Sequence, residues 1–215
     1  MKTKIIIVRH GESLGNKEKY LLGHTDLDMS QLGYRQAAST ASYLAEEKID
    51  VIYSSDLIRA YNTAKPHAEL RGLQIIKDEK LREVQLGDWE GKHISYILEN
   101  YKDEYETYKA KTFGTYTFPK GGDSVEEAGV RFFDEIMSIA SENTGKTVLV
   151  VTHAAVLRSF YAKISGIEPR DVAAELPFAT NASVSLVEYD GERLVPRLYS
   201  FDEHLRDVGI TKVNA

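Results

Sequence analysis

Apolar positions along the chain alternate between short continuous runs and longer stretches in which they recur every three or four residues. "KIIIV" at 4–8 and "KTVLVVTH" at 146–153 carry uninterrupted apolar runs too short for helices, so they predict strands buried on both faces. "DVIYSS" at 50–55 and "LQIIKD" at 73–78 predict two further strands. In "MSQLGYRQAASTASYLAEE", Leu32, Ala37, Ala41, Tyr43 and Leu44 form one apolar side of a helix, with Ser30 placed to cap it. "DLIRAYNTAKPHAEL" predicts a second helix, capped by Ser55 or Asp56. "SVEEAGVRFFDEIMSIA" opens on a capping box of Ser124 and Glu127, and "AAVLRSFYAKISG" closes on Gly166. "SVSLVEYDGERLVPRLYS" predicts a hairpin turning at Asp190-Gly191.

Residues 81–122 break this rhythm. They start with the turn-rich "LREVQLGDWEG" and end in "TFGTYTFPKGGD". Between these lies one predicted helix carrying Ile94, Ile97, Leu98, Tyr101, Tyr105 and Tyr108. The expectation is a lid inserted over one end of the sheet. The whole pattern predicts an α/β fold: a three-layer sandwich with a mostly parallel sheet flanked by helices, forming a single domain over residues 1–215. In such sheets ligands bind beyond the carboxyl ends of the strands. His10 and His153, each just past a buried strand, are therefore expected at the same sheet edge.

Composition narrows the function. A length of 215 residues with 42% apolar and 28% charged residues supports a substantial core. The net charge of −6 gives no bulk attraction to nucleic acid or to anionic membranes, so an anion site must be a local cluster of Arg and His. With no cysteine, disulfides, thiolate metal sites and a cysteine nucleophile are excluded. The apolar run near the start is too short for a signal core, and no run approaches membrane-spanning length, so a cytoplasmic location is expected.

Five side chains carry the candidate chemistry. His10 is a potential nucleophile toward phosphorus, Arg9 offers a planar fork of donors, and Gly11 permits close backbone approach. Arg59 lies in the first turn of its helix, where an anion would also meet the peptide dipoles. Glu83 sits near the lone Trp89 and suits proton transfer to a leaving oxygen. His153 follows "VLVVT". Each residue has a plain alternative: a strand-end histidine bonded to a carbonyl, an arginine paired with Asp56, a solvated loop glutamate, a core histidine. Asp88 and Glu90 read as solvated, and His24, His67, His93 and His204 as surface or structural. No third His, Asp or Glu stands at ligand spacing from the two strand-end histidines, so no metal and no cofactor are expected.

Taken in chain order, the motifs "VRHGESLGN", "YSSDLIRAYNTA", "LREVQLGDWEGK" and "VLVVTHAAVLRSF" resemble those of the histidine phosphatase superfamily, the phosphoglycerate mutase-like proteins. "GHTDLDMSQLGYRQA" fits the stretch between the first two, and the resemblance spans about residues 4–190. It implies that His10 becomes a phosphohistidine, that Arg9, Arg59 and His153 hold the equatorial oxygens, and that Asn16 adds a donor at the pocket mouth. It implies that Glu83 protonates the departing alcohol and then activates water. Ala154 stands where many relatives carry glycine, and it keeps the backbone N–H. Asp123 is one methylene shorter than the glutamate of many relatives, which leaves a pocket role for it in doubt. The implied activity is phosphomonoester hydrolysis on a small phosphorylated metabolite; the alternatives are a cofactor-dependent phosphoglycerate mutase and a non-catalytic anion-binding module. The lid carries Lys92, Lys102, Lys109, Lys111 and Lys120 but no adjacent arginine pair. It also carries Tyr96, Tyr101, Tyr105, Tyr108 and Tyr116, which favours a phosphatase for a partly apolar ester. A bell-shaped pH profile is expected, with His10 neutral and His153 as imidazolium. Partners reduce to a small phosphomonoester, with a homodimer left open.

Overall fold

The computed structural model describes residues 1–110 and 116–211, the side chains of Lys109 and Ala110 excepted. Lys111 therefore lies outside the described residues. Among those described, one sheet holds β1 (Thr3–Arg9), β3 (Val51–Ser55), β4 (Ile75–Asp78), β6 (Thr147–Thr152), β7 (Val184–Tyr189) and β8 (Leu194–Phe201). Their order is β4-β3-β6-β1-β7-β8. The first four run parallel, while β7 and β8 are antiparallel additions at one edge. The remaining ribbon pairs β2 (Tyr20–Leu21) with β5 (Lys92–His93).

The uninterrupted apolar runs are explained by burial on both sides of the sheet. Ile5 and Ile7 join a core cluster with Phe132 and Ile136 of α6 (Val125–Glu142) and Phe160 of α7 (Ala154–Ser165). The intervening Ile6 and Val8 join a second cluster with Ala60 and Ala64 of α3 (Ile58–Arg71) and with Leu44, which follows α2 (Gln31–Tyr43). The same alternation splits Val148 and Val150 from Leu149 and Val151. Period-two side chains on a sheet covered on both faces leave no position for a polar residue.

Local signals hold at most element ends. The Ser30 hydroxyl accepts from the Gly33 N–H, Ser124 and Glu127 form the expected box, and Gly166 closes α7 with φ 69°. Two expectations are corrected. Neither Ser55 nor Asp56 caps α3: the Ile58 N–H donates to Asp26 Oδ1 at 2.7 Å, and Asp56 turns to Arg82 instead. Sequence spacing cannot reveal a cap supplied from 32 residues upstream. The helix expected over residues 94–108 is also two helices, α4 (Ile94–Asn100) and α5 (Lys102–Ala110). At the break, Tyr101 leaves helical geometry (φ −133°, ψ 35°), and the rings of Tyr101, Tyr105 and Tyr108 lie 6.4, 6.0 and 5.9 Å from Trp89. Packing on one buried indole outweighs helix continuity. The turn beneath this cluster needs Gly87 (φ 53°), because a Cβ there would meet the Pro119 carbonyl oxygen at 1.7 Å.

His67, on α3, is fully buried, and among the described residues neither ring nitrogen has a partner. Burial, then Arg71 and His204, push its pKa down to about 3. The unfolded chain binds this proton near pH 6.5 and the folded chain does not, so the resulting loss of stability grows as pH falls from 6.5 toward 3. His67→Leu is expected to widen its stability advantage over the parent by about 2 kcal/mol between pH 7 and pH 5, as read by urea unfolding. Equal differences at the two pH values would show that the imidazole finds a proton acceptor.

Candidate active site

β1 and β6 are adjacent and parallel with Arg9 opposite Thr152, so the residues that follow them emerge side by side. The His10 N–H extends the ladder to the Thr152 carbonyl, and the His10 and His153 ring centroids are 5.1 Å apart. The sheet, not any contact between the two histidines, brings them together. At Gly11 an added Cβ would meet the Gly33 carbonyl oxygen at 2.5 Å, so the backbone after His10 is pressed against the start of α2.

A cavity of about 170 Å³ opens at this edge, lined by Arg9, His10, Asn16, Arg59 and Glu83 among others. The His10 Nδ1 lies 2.7 Å from the Gly11 carbonyl oxygen. A carbonyl only accepts, so Nδ1 carries the proton and Nε2 keeps its lone pair. Arg9 Nη1 donates to the Ala179 carbonyl at 2.5 Å. Arg59 donates to the carbonyls of Thr25 and Gly23 at 2.9 and 2.7 Å. Both guanidiniums are buried, and burial pushes each pKa down to about 10, leaving both charged near neutrality. Glu83 accepts from the N–H groups of Ala155 and Val156 at 2.9 and 3.1 Å and so caps α7. His153 is fully buried beside His10 and is not on the cavity wall; its Nε2 lies 2.8 Å from the Ser55 hydroxyl, and its Nδ1 has no partner among the described residues. Ala155 lines the cavity, one position after Ala154.

Burial, reinforced by Arg59, lowers the pKa of both His10 and His153 well below the ordinary imidazole value. His10 is thus neutral at neutral pH, as attack requires. For His153 the result opposes the expected imidazolium, because two buried cations stand beside a desolvated ring. Neither ring is expected to titrate between pH 6 and 8 in the free protein, as followed by the imidazole C–H resonances. A midpoint near 6.5 for either would show that burial does not control it.

Several supporting residues were not legible in the sequence. Asn181 donates to the His10 carbonyl at 2.9 Å and to Asn16 Oδ1 at 3.1 Å, joining the two ends of the first motif. His24, read as surface or structural, has the structural role: it donates through Nε2 to the Glu83 carbonyl at 2.8 Å. Glu90 is not a solvated loop residue: it accepts from His24, Thr25 and Leu86 N–H groups and from the Thr25 hydroxyl. It thereby ties the loop that holds Arg59 to the turn after Glu83. The stretch "GHTD" was the available signal. Asp88, paired with Lys120 at 2.8 Å, matches the plain reading. Asp123 Oδ2 accepts from the Gln85 N–H and does not line the cavity.

The description "histidine phosphatase superfamily (branch 1)" matches residues 5–202. Phosphoglycerate mutase-like protein 4 of Arabidopsis thaliana is 33% identical over 209 residues, covering 96% of this chain and 88% of its own. A metal-independent phosphoserine phosphatase of Arabidopsis thaliana is 32% identical over 211 residues, covering 96% of this chain and 85% of its own. Among solved structures, YhfR of Bacillus stearothermophilus superposes with a TM-score of 0.88 at 28% identity, over 95% of this chain and 100% of its own. On the strength of a match that takes in both strand-end histidines, Arg9, Arg59 and Glu83, the chain belongs to the histidine phosphatase superfamily, branch 1.

Proposed function

We propose that the protein is a histidine acid-type phosphatase that hydrolyses a small phosphorylated metabolite through a phosphohistidine. One observation carries this reading: an imidazole whose Nδ1–H is held by the Gly11 carbonyl faces a cavity that it shares with two buried guanidiniums and one carboxyl group, which enters the cycle protonated. His10 Nε2 forms the N–P bond as the ester P–O bond breaks. Glu83 gives its proton to the departing alkoxide oxygen. Arg9 and Arg59 stabilise the charge on the non-bridging oxygens. His153, packed 5.1 Å from the His10 ring and hydrogen-bonded to Ser55, positions that ring from behind the wall, and Asn16 lines the cavity that receives the phosphoryl group. Glu83 then takes a proton from the water that attacks phosphorus, returning free His10 and inorganic phosphate. A pocket kept only for binding an anion would need neither a tautomer-locked imidazole nor an acid on the same wall.

Residues 81–122 act as a lid on a single cytoplasmic domain in this reading. A mutase would transfer the phosphoryl group to a second hydroxyl of a charged acid, and no adjacent arginine pair stands in the lid to grip one. The test is turnover of p-nitrophenyl phosphate with rapid quenching. Protein-bound phosphate that is stable to alkali and lost in acid is expected, with hydrolysis unaffected by EDTA. Fast 2- to 3-phosphoglycerate interconversion without phosphate release would establish the mutase instead.

A further inference from the structure

We propose that Asn181, which lies outside every motif read from the sequence, is a positioning residue for phosphoryl binding: it locks the side-chain amide of Asn16 with its nitrogen toward the cavity. This rests on the phosphatase reading above.

The orientation of both amides follows from backbone groups whose roles are fixed. The Ser13 N–H can only donate, and it reaches Asn16 Oδ1 at 3.1 Å. That atom is therefore the carbonyl oxygen of the Asn16 amide. A second donor, Asn181 Nδ2, reaches the same oxygen at 3.1 Å. Asn181 Nδ2 also donates to the His10 carbonyl at 2.9 Å, which can only accept. Reversing the Asn181 amide would set one oxygen against two others. With Oδ1 held by two donors, the Asn16 Nδ2–H group is the part of that amide left for a ligand at the cavity wall. A phosphoryl oxygen then meets an N–H donor. A reversed Asn16 amide would meet it with a carbonyl oxygen and turn attraction into repulsion.

Asn181 holds this place at a cost in stability. It is 1% exposed, yet its own Oδ1 has no partner among the described residues. A buried, unpaired acceptor is destabilising, and an apolar residue would avoid the penalty. What the amide supplies is two hydrogens on one nitrogen, reaching the nucleophile's carbonyl and the Asn16 oxygen together. Serine and threonine carry a single hydroxyl hydrogen. The mount is also fixed. Ala182 is buried in the left-handed region at φ 59°, and its N–H donates to the Arg9 carbonyl at 3.0 Å. Asn181 is thereby tied to the same backbone that carries Arg9 and His10.

The test is a cycle of Asn16→Ala, Asn181→Ala and the double variant on the full chain, with inorganic phosphate binding read by calorimetry. Asn16→Ala is expected to weaken phosphate at least about tenfold in the parent and less than about threefold when residue 181 is already alanine. Loss of the bond to the His10 carbonyl is common to both Asn181→Ala proteins, so the cycle isolates the lock. Equal factors in the two backgrounds overturn the proposal and leave Asn181 as a support of the His10 backbone alone. A second measurement needs no variant and holds even if Asn181→Ala fails to fold. With isotope-labelled asparagine in the unaltered chain, the Asn16 side-chain amide protons are expected to shift on adding phosphate, while those of Asn181 stay protected from exchange with water. Asn16 amide protons that do not move at saturating phosphate also overturn the proposal. Coupled phosphate binding without hydrolysis of any ester would remove the phosphatase reading and keep the lock. Hydrolysis with uncoupled phosphate binding would do the reverse.

Discussion

His10→Ala is expected to lower kcat/KM for p-nitrophenyl phosphate by at least about 10⁴-fold and to abolish the trapped phosphoenzyme. Among the described residues no other imidazole lines the cavity to replace the lost lone pair. Asn16, Arg9 and Arg59 are not nucleophiles at neutral pH, Glu83 is engaged by the α7 N–H groups, and His153 is buried off the wall. The fold should survive, because the backbone N–H of residue 10 still reaches the Thr152 carbonyl and Asn181 still holds the residue 10 carbonyl. Affinity for inorganic phosphate should change by less than about tenfold, since both guanidiniums remain and the imidazole was neutral. Phosphate binding by calorimetry, measured beside the kinetics, separates a lost nucleophile from a collapsed pocket. Substantial residual turnover with a trapped phosphoenzyme would take His10 out of the mechanism.

Glu83→Gln is the second large effect, and its size should depend on the substrate. General acid catalysis contributes about 10²–10⁴-fold where the leaving oxygen needs a proton. Alkyl phosphates, whose alkoxides are strong bases, should lose activity across that range. p-Nitrophenyl phosphate leaves as a weakly basic phenolate and should lose far less in the bond-breaking step. Glutamine keeps one acceptor for the N–H groups of Ala155 and Val156 but turns an amide toward the other. A loss of about 1 kcal/mol of stability should therefore accompany the kinetic effect. Equal losses for the alkyl and nitrophenyl esters would mean that Glu83 acts through the placement of α7 and not as an acid.

The strands, the flanking helices and the hairpin were legible because each depends on residues near in sequence. A run such as Ile5-Ile6-Ile7-Val8 has a low-energy place only where both faces are covered, and its cores now contain those side chains alternately. The order of motifs also marked Arg9, His10, Arg59, Glu83 and His153 as candidates, and four of the five line one cavity. The break between α4 and α5 was not legible, since the packing of Tyr101, Tyr105 and Tyr108 on Trp89 is tertiary. Nor was the work of Asp26, His24, Glu90 and Asn181, whose partners lie 32, 59, 65 and 171 residues away.

The sequence by itself determined which groups exist for phosphoryl chemistry and that two histidines would meet at the carboxyl ends of parallel strands. Only the tertiary structure decided their state. Hydrogen-bond geometry at Gly11 fixed the tautomer of His10, and the shared burial of two guanidiniums and two imidazoles left both rings neutral where an imidazolium had been expected. Proton affinity depends on the distance to every nearby charge and on exclusion of water, and neither quantity is written in residue order.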